Sequence, residues 1–170
     1  MLRKVINEDA VRSLRLLLER SHNIVITTHI SPDGDAIGSS LGLFHILSAI
    51  GKKVTVITPD TPPKNLMFMP DSKEIVIFSR YEQFACELIE NADLIFSLDY
   101  NDLHRIDRLA EPLRASKASK VMIDHHLYPG DFVDVVISHP EISSTSMLVF
   151  KVACRLELFS LISKEAAICI

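Results

Sequence analysis

The chain has 170 residues, 48% of them hydrophobic and 24% charged, with 5 Gly and 8 Pro. That is enough for one well-buried domain of roughly 150 residues, and it excludes disordered, collagenous and low-complexity classes. The formal charge of −4 argues against a surface that tracks long duplex nucleic acid, while a small anionic substrate stays open if a local cation supplies the attraction.

In chain order, Asn7 to Ser21 has a helical period, with Val11, Leu14, Leu17 and Leu18 on one face and Asn7 placed to cap it. The β-branched run from Asn23 to Thr28 predicts a buried strand, followed by a loop holding Pro32 and Gly34. A second helix is predicted from Ala36 to Ile50, stopped by Gly51, then a strand from Lys53 to Thr58 and a proline-rich loop from Pro59 to Pro70. Within that loop, Asn65 to Pro70 reads as a core-anchored segment in preference to a stacking platform. Glu74 to Phe78 is a short strand candidate, Tyr81 to Asn91 a helix and Asp93 to Leu98 a strand. A helix from Leu103 to Ala115 is expected despite Pro112, then strands Lys120–Ile123 and Phe132–Ile137 and a capped helix Ser143–Leu156. Strands alternating with helices predict an α/β fold, a mostly parallel sheet with helices on both faces.

Ser163 reads as the cap of a last helix, and the chain stops at Ile170 inside that apolar run without Gly, basic last turn or polar tail. The expectation is a domain spanning 1–170 and incomplete at its C-terminal side. Cys86, Cys154 and Cys169 are odd in number and form no C-x-x-C pair, as expected for reduced thiols. Glu8, Asp9, Arg12 and Arg15 interrupt any leader-like stretch, and no apolar run nears the roughly 20 residues of a bilayer span. A cytoplasmic protein with no membrane partner is expected.

Three predicted strands end in candidate chemistry. Ile24–Thr28 leads to His29, Asp33 and Asp35; Leu94–Leu98 leads to Asp99; Val121–Ile123 leads to Asp124, His125 and His126. In open parallel sheets the ligand crevice lies beyond the carboxyl ends of the strands, so these groups would converge there. Carboxylates packed so closely call for a cation. A carboxylate–imidazole donor set without thiolate suits Mn, Fe, Co or Zn, and five donors exceed one tetrahedral ion but fit two ions bridged by Asp99. Each piece also has a plain reading, since Asp35 before Ala36 fits a helix cap and a His-His pair is often structural. Ser143 and Ser144, opening a helix, fit either a phosphate cradle or simple capping, and Arg105 either phosphate binding or a supporting ion pair. His22, His45, His104 and His139 lack such company and are taken as surface or core residues.

His29-Ile-Ser-Pro-Asp33-Gly-Asp35-Ala-Ile-Gly38, Asp99 with Arg105, and the triplet Asp124-His125-His126 together resemble the motifs of the DHH phosphoesterase superfamily. Leu98–Asp107 and Ser143–Ser146 are similar to its bifunctional oligoribonuclease and pAp phosphatase branch. The resemblance implies two divalent ions, Mn2+ foremost, one held by His29, Asp33 and Asp99 and the other by Asp35, Asp99 and His125. It further implies that His126 contacts the substrate phosphate, that Asp124 orients an imidazole, and that a metal-activated hydroxide hydrolyses short oligoribonucleotides or pAp. Family members carry one more aspartate, in an Asp-Thr-Gly type motif, and a second, DHH-associated domain, neither of which occurs in this sequence. The 170 residues alone are therefore expected to turn over weakly. The alternatives are a phosphoanhydride hydrolase of the pyrophosphatase or exopolyphosphatase kind, a RecJ-like exonuclease on long single strands, which the acidic balance disfavours, and a non-catalytic nucleotide-sensing module. Oligomeric state stays open, with a homodimer among the options.

Overall fold

The structure is a computed structural model that describes residues 5–170. Six strands form one all-parallel sheet in the order β3-β2-β1-β4-β5-β6. They are β1 Asn23–Thr27, β2 Lys53–Thr58, β3 Val76–Ile77, β4 Leu94–Leu98, β5 Ser119–Asp124 and β6 Val135–Ser138. The helices are α1 Glu8–Arg20, α2 Gly34–Ala49, α3 Glu82–Glu90, α4 Ala110–Ala115, α5 Thr145–Arg155 and α6 Lys164–Cys169. Strand order reverses between β1 and β4, which makes the carboxyl ends of these two strands the switch point where such sheets open a crevice.

The strand period of two sorts the side chains into two cores. Ile24, Ile26, Phe96 and Ile123 face α1, α2, α5 and α6, while Val25, Ile57 and Ile95 face α3, α4 and the turn that precedes α4. Both faces are therefore apolar, which accounts for the near-continuous aliphatic runs of β1 and β4. Asn7 caps α1 by accepting from the Asp9 amide, and the Lys52 ammonium closes its other end by donating to the Leu18 and Ser21 carbonyls at 2.6 and 2.7 Å. Gly51 ends α2 with φ of +78°, a left-handed value that costs glycine little.

Four boundaries differ from expectation. The segment Leu103–Ala115 is a 3-10 segment over Leu103–Leu109, broken internally at Asp107 with φ 48° and ψ −131°, and then α4. Pro112 explains the restart, since its ring is tolerated only within the first turn of a helix, and α4 begins two residues earlier. β3 is reduced to two residues because Ser72–Glu74 forms a 3-10 turn. β6 starts only at Val135, after Asp134 has bonded the Lys120 backbone. α2 starts at Gly34, because Asp33 and not Asp35 is its cap: the Asp33 carboxylate accepts from the amides of Asp35 and Ala36, both at 3.0 Å.

α6 lies directly on α2, and the approach is set by Gly38, where an added Cβ would run into the Cys169 backbone carbonyl. At Gly42 the obstacle is the γ2-methyl of Ile170, a side-chain atom that a χ1 rotation moves, whereas the Cys169 carbonyl is fixed in the backbone. Gly38→Ala is expected to destabilise the fold by about 1–3 kcal/mol, as overpacking does, and Gly42→Ala by clearly less. Urea unfolding of the two variants checks the order.

Candidate metal centre

The carboxyl ends of β1 and β4 are sewn together before any functional group appears. The Thr27 hydroxyl donates to the Phe96 carbonyl at 3.0 Å and lies 2.8 Å from the Tyr100 hydroxyl, which donates to Ser97 Oγ at 2.7 Å. Burial pushes the Tyr100 phenol up to about 12 against the opposing effect of those two hydroxyls, so it stays neutral. Beyond this seam stand His29, Asp99 and Asp124, all buried.

Asp99 is the centre. It is 2% exposed, and its backbone sits in the left-handed region at φ 64°, which costs a non-glycine residue about 1–3 kcal/mol and is commonly found at functional sites. Its two oxygens look in different directions. Oδ2 lies 3.4 Å from His29 Nε2, and that nitrogen lies 4.0 Å from Asp33 Oδ1. Oδ1 lies 3.4 Å from His125 Nε2, which is 3.6 Å from Asp35 Oδ2, and 4.0 Å from His126 Nδ1. The Thr145 hydroxyl donates to Oδ1 at 2.9 Å and fixes the plane of the carboxylate.

The imidazoles are pre-set. His29 Nδ1 bonds the Ile30 carbonyl at 2.7 Å and His125 Nδ1 the Ile142 carbonyl at 3.3 Å. A carbonyl only accepts, so both Nδ1 atoms carry protons and both Nε2 atoms are turned toward Asp99. His126 is held the other way, by the buried Asp124: its Nδ1 lies 2.7 Å from Asp124 Oδ1 and its amide donates to Oδ2 at 2.9 Å. Asp35 serves two elements, since its carboxylate also accepts from the Thr145 and Ser146 amides at 2.7 and 2.8 Å, at the start of α5.

This is a fit to divalent ions by two tests. Two donors each about 2.1 Å from a common ion stand about 3.0–3.4 Å apart, the spacing of the Asp99–His29 and Asp99–His125 pairs. Donor atoms of His29, Asp33 and Asp99, and again of Asp99, His125 and His126, each gather within 4.8 Å. Second, the buried Asp99 has only imidazoles as ion-pair partners among the described residues, and a buried carboxylate without a full counter-charge is costly.

The structure thus brings His29, Asp33, Asp35, Asp99, Asp124, His125 and His126 to one edge of the sheet. It treats the remaining candidates differently. At the start of α5 the Thr145 and Ser146 amides are taken by Asp35 and the Met147 amide by Ser144 Oγ, which is the capping arrangement, and Ser143 is exposed. Arg105 is half-buried, its carbonyl accepts from the Ile30 amide at 2.8 Å, and its charge is felt at His29. His45, His104 and His139 pair with Asp71, Asp102 and Glu141 away from the centre. Thr145 was not foreseeable in this role, because a threonine in a serine-rich helix start signals only a cap.

A parallel α/β domain with a carboxylate–imidazole centre at its switch point defines the class. The sequence profile of the DHH family, N-terminal domain, matches residues 23–170, and the chain belongs to that family. It is 33% identical over 126 residues to the bifunctional oligoribonuclease and PAP phosphatase NrnA of Thermus thermophilus, covering 74% of this chain and 35% of that protein. It is 29% identical over 147 residues to the cyclic-di-AMP phosphodiesterase GdpP of Geobacillus thermodenitrificans, covering 81% of this chain and 22% of that one. The crystal structure of an exopolyphosphatase-related protein from Bacteroides fragilis superimposes with a TM-score of 0.97 at 53% identity, over 98% of this chain and 49% of the other. The chain therefore spans about half or less of the length of these relatives.

Burial lowers the His29 pKa, but the Asp99 hydrogen bond, the Ile30 carbonyl and the Asp99 charge together outweigh it, so the group sits above its ordinary value of 6.5 even with Arg105 nearby. A raised folded-state pKa stabilises the metal-free fold below pH about 6.5, and that contribution is lost as pH rises through the folded value. Urea midpoints of the metal-free protein should fall across that window, less so in His29→Gln. Divalent-ion affinity should rise over the same window, because the ion displaces the proton.

Proposed function

We propose that the chain is the metal-binding part of a phosphoester hydrolase that acts on small nucleotides, short oligoribonucleotides or pAp. The observation that carries the reading is Asp99, whose two oxygens are divided between two separate donor sets. His29, Asp33 and Asp99 would hold one ion and Asp35, Asp99 and His125 the other, with Mn2+ among the first-row ions that mixed imidazole and carboxylate donors suit. When bound, such a pair supplies charge for the transferring phosphoryl group and lowers the pKa of water.

The chain's own residues do the rest. His126 is locked by Asp124 through Nδ1, which leaves its Nε2 for a substrate phosphate oxygen and for the proton that the leaving oxygen needs. Asp124, fully buried, is a positioning residue that fixes the His126 ring and tautomer. Arg105 supplies a cation beside His29 for a second phosphate oxygen or a 3′-phosphate. Relatives named for oligoribonucleotide, PAP and cyclic-di-AMP chemistry support a nucleotide phosphoester as substrate.

The second reading is a phosphoanhydride hydrolase, favoured by the 53% identity to the exopolyphosphatase-related protein. Side-by-side assay of pAp, a short oligoribonucleotide and pyrophosphate with Mn2+ separates the two: release of mononucleotide or of phosphate from pAp is expected, with pyrophosphate left intact. Calorimetry of the metal-free chain should report two Mn2+ ions, with His29→Ala and His125→Ala each losing one and Asp99→Asn losing both. A single weak site indifferent to both histidines overturns the two-ion reading.

A further inference from the structure

His29 and Asp33 bring donor atoms within 4.8 Å of each other and of an Asp99 oxygen although only three residues separate them. The chain achieves this by reversing at Ser31, whose φ is 49°. That conformation is doubly unfavourable, because Ser31 carries a Cβ and because it precedes Pro32, which drives its neighbour toward extended backbone. The turn must be held from outside.

The Asp60 carboxylate, on the loop after β2, accepts from the Ser31 amide with both oxygens, at 2.9 and 3.0 Å. Asp60 is itself anchored, since the buried Thr58 hydroxyl donates to its carbonyl at 2.8 Å. On the other side the Arg105 carbonyl takes the Ile30 amide at 2.8 Å. The loop that carries His29 and Asp33 is thus clamped between the loop after β2 and the 3-10 turn after β4. We infer that Asp60, which contributes no donor to either ion-binding group, is a positioning residue that keeps the His29–Asp33 half of the centre assembled by holding Ser31 in its left-handed turn. The inference rests on the two-ion reading above.

The test compares Asp60→Ala with Asp60→Asn, Ser31→Val and the double variant Asp60→Ala/Ser31→Gly. Asp93→Ala serves as the control, because Asp93 accepts the His22 and Asn23 amides at 2.8 and 2.7 Å in the same manner but at the opposite end of β1. In the metal-free protein, amide exchange at Ser31 and Ile30 should accelerate at least about tenfold in Asp60→Ala, while the Thr145 and Ser146 amides held by Asp35 stay unchanged. In Mn2+ titrations followed by calorimetry and electron paramagnetic resonance, Asp60→Ala should lose roughly 10–100-fold in affinity for one ion only. Its spectrum should change from that of a coupled pair to that of a single ion.

Asp60→Asn, which keeps an acceptor, and the double variant, in which glycine accepts the turn, should each regain the second ion. Asp93→Ala should keep both ions whatever its loss of stability. If Asp60→Ala does not fold, Ser31→Val decides, since a β-branched residue opposes the turn with Asp60 intact and should weaken the same ion. Undiminished binding of two ions by a folded Asp60→Ala or by Ser31→Val overturns this inference alone. A wild-type chain that binds no Mn2+ overturns the two-ion reading and this inference with it.

Discussion

A carboxylate buried at the end of a central strand, with imidazoles on two sides and no lysine or arginine paired to it among the described residues, is the constraint from which the rest of the site follows. Asp99 cannot be solvated where it stands, and its left-handed backbone is held there by the Ile123 carbonyl, which accepts its amide. Every neighbour has a task defined by that charge. Thr145 fixes its plane, His29 and His125 turn their Nε2 atoms to its two oxygens, and Asp33 and Asp35 stand beside those two imidazoles. Removing Asp99 would leave two triads without a common member. No other single residue has that position.

The sheet topology explains why this carboxylate can be shared. β1 and β4 are neighbours, yet the chain passes from β1 through β2 and β3 on one side before returning to β4 on the other. Their connections therefore leave in opposite directions and cannot fill the space above the two strand ends. The seam of Thr27, Ser97 and Tyr100 closes the sheet directly beneath, so the crevice has a rigid and uncharged floor. On the β5 side, α5 is pinned through Asp35, which ties the beginning of one helix to the beginning of another.

Much of this was legible in the sequence, and the reason is periodicity. Strands buried on both faces leave aliphatic runs, and a run that ends in His or Asp marks the edge where the ligands stand, so His29, Asp99 and His125 could be named from order alone. Local patterns located the starts of α1, α2, α3, α5 and α6 to within two residues, whereas α4 begins seven residues after the predicted Leu103. What stayed hidden depends on long-range hydrogen bonds. Asp35 looks like the cap of its own helix but spends its carboxylate on α5, more than a hundred residues away. Asp60 lies in a proline-rich loop with nothing to distinguish it from a turn residue, and the Asp107 break is visible only once Pro112 has to find a first turn.

The donors in this centre are held by bonds that need no ion: Nδ1 to carbonyl, carboxylate to amide, hydroxyl to carboxylate. Small zinc domains, by contrast, fold only when their ion arrives. Here the same contacts that build the fold also orient the candidate donors, so an ion would find little conformational entropy left to be lost. Which ion occupies the centre is then a question of supply and exchange. A rigid set of imidazoles and carboxylates would accept several first-row ions, with intrinsic affinity rising toward copper and zinc. Selection among them falls to the metal pools that the chain encounters, and the ion recovered with the protein will carry the signature of its host as much as that of its sequence.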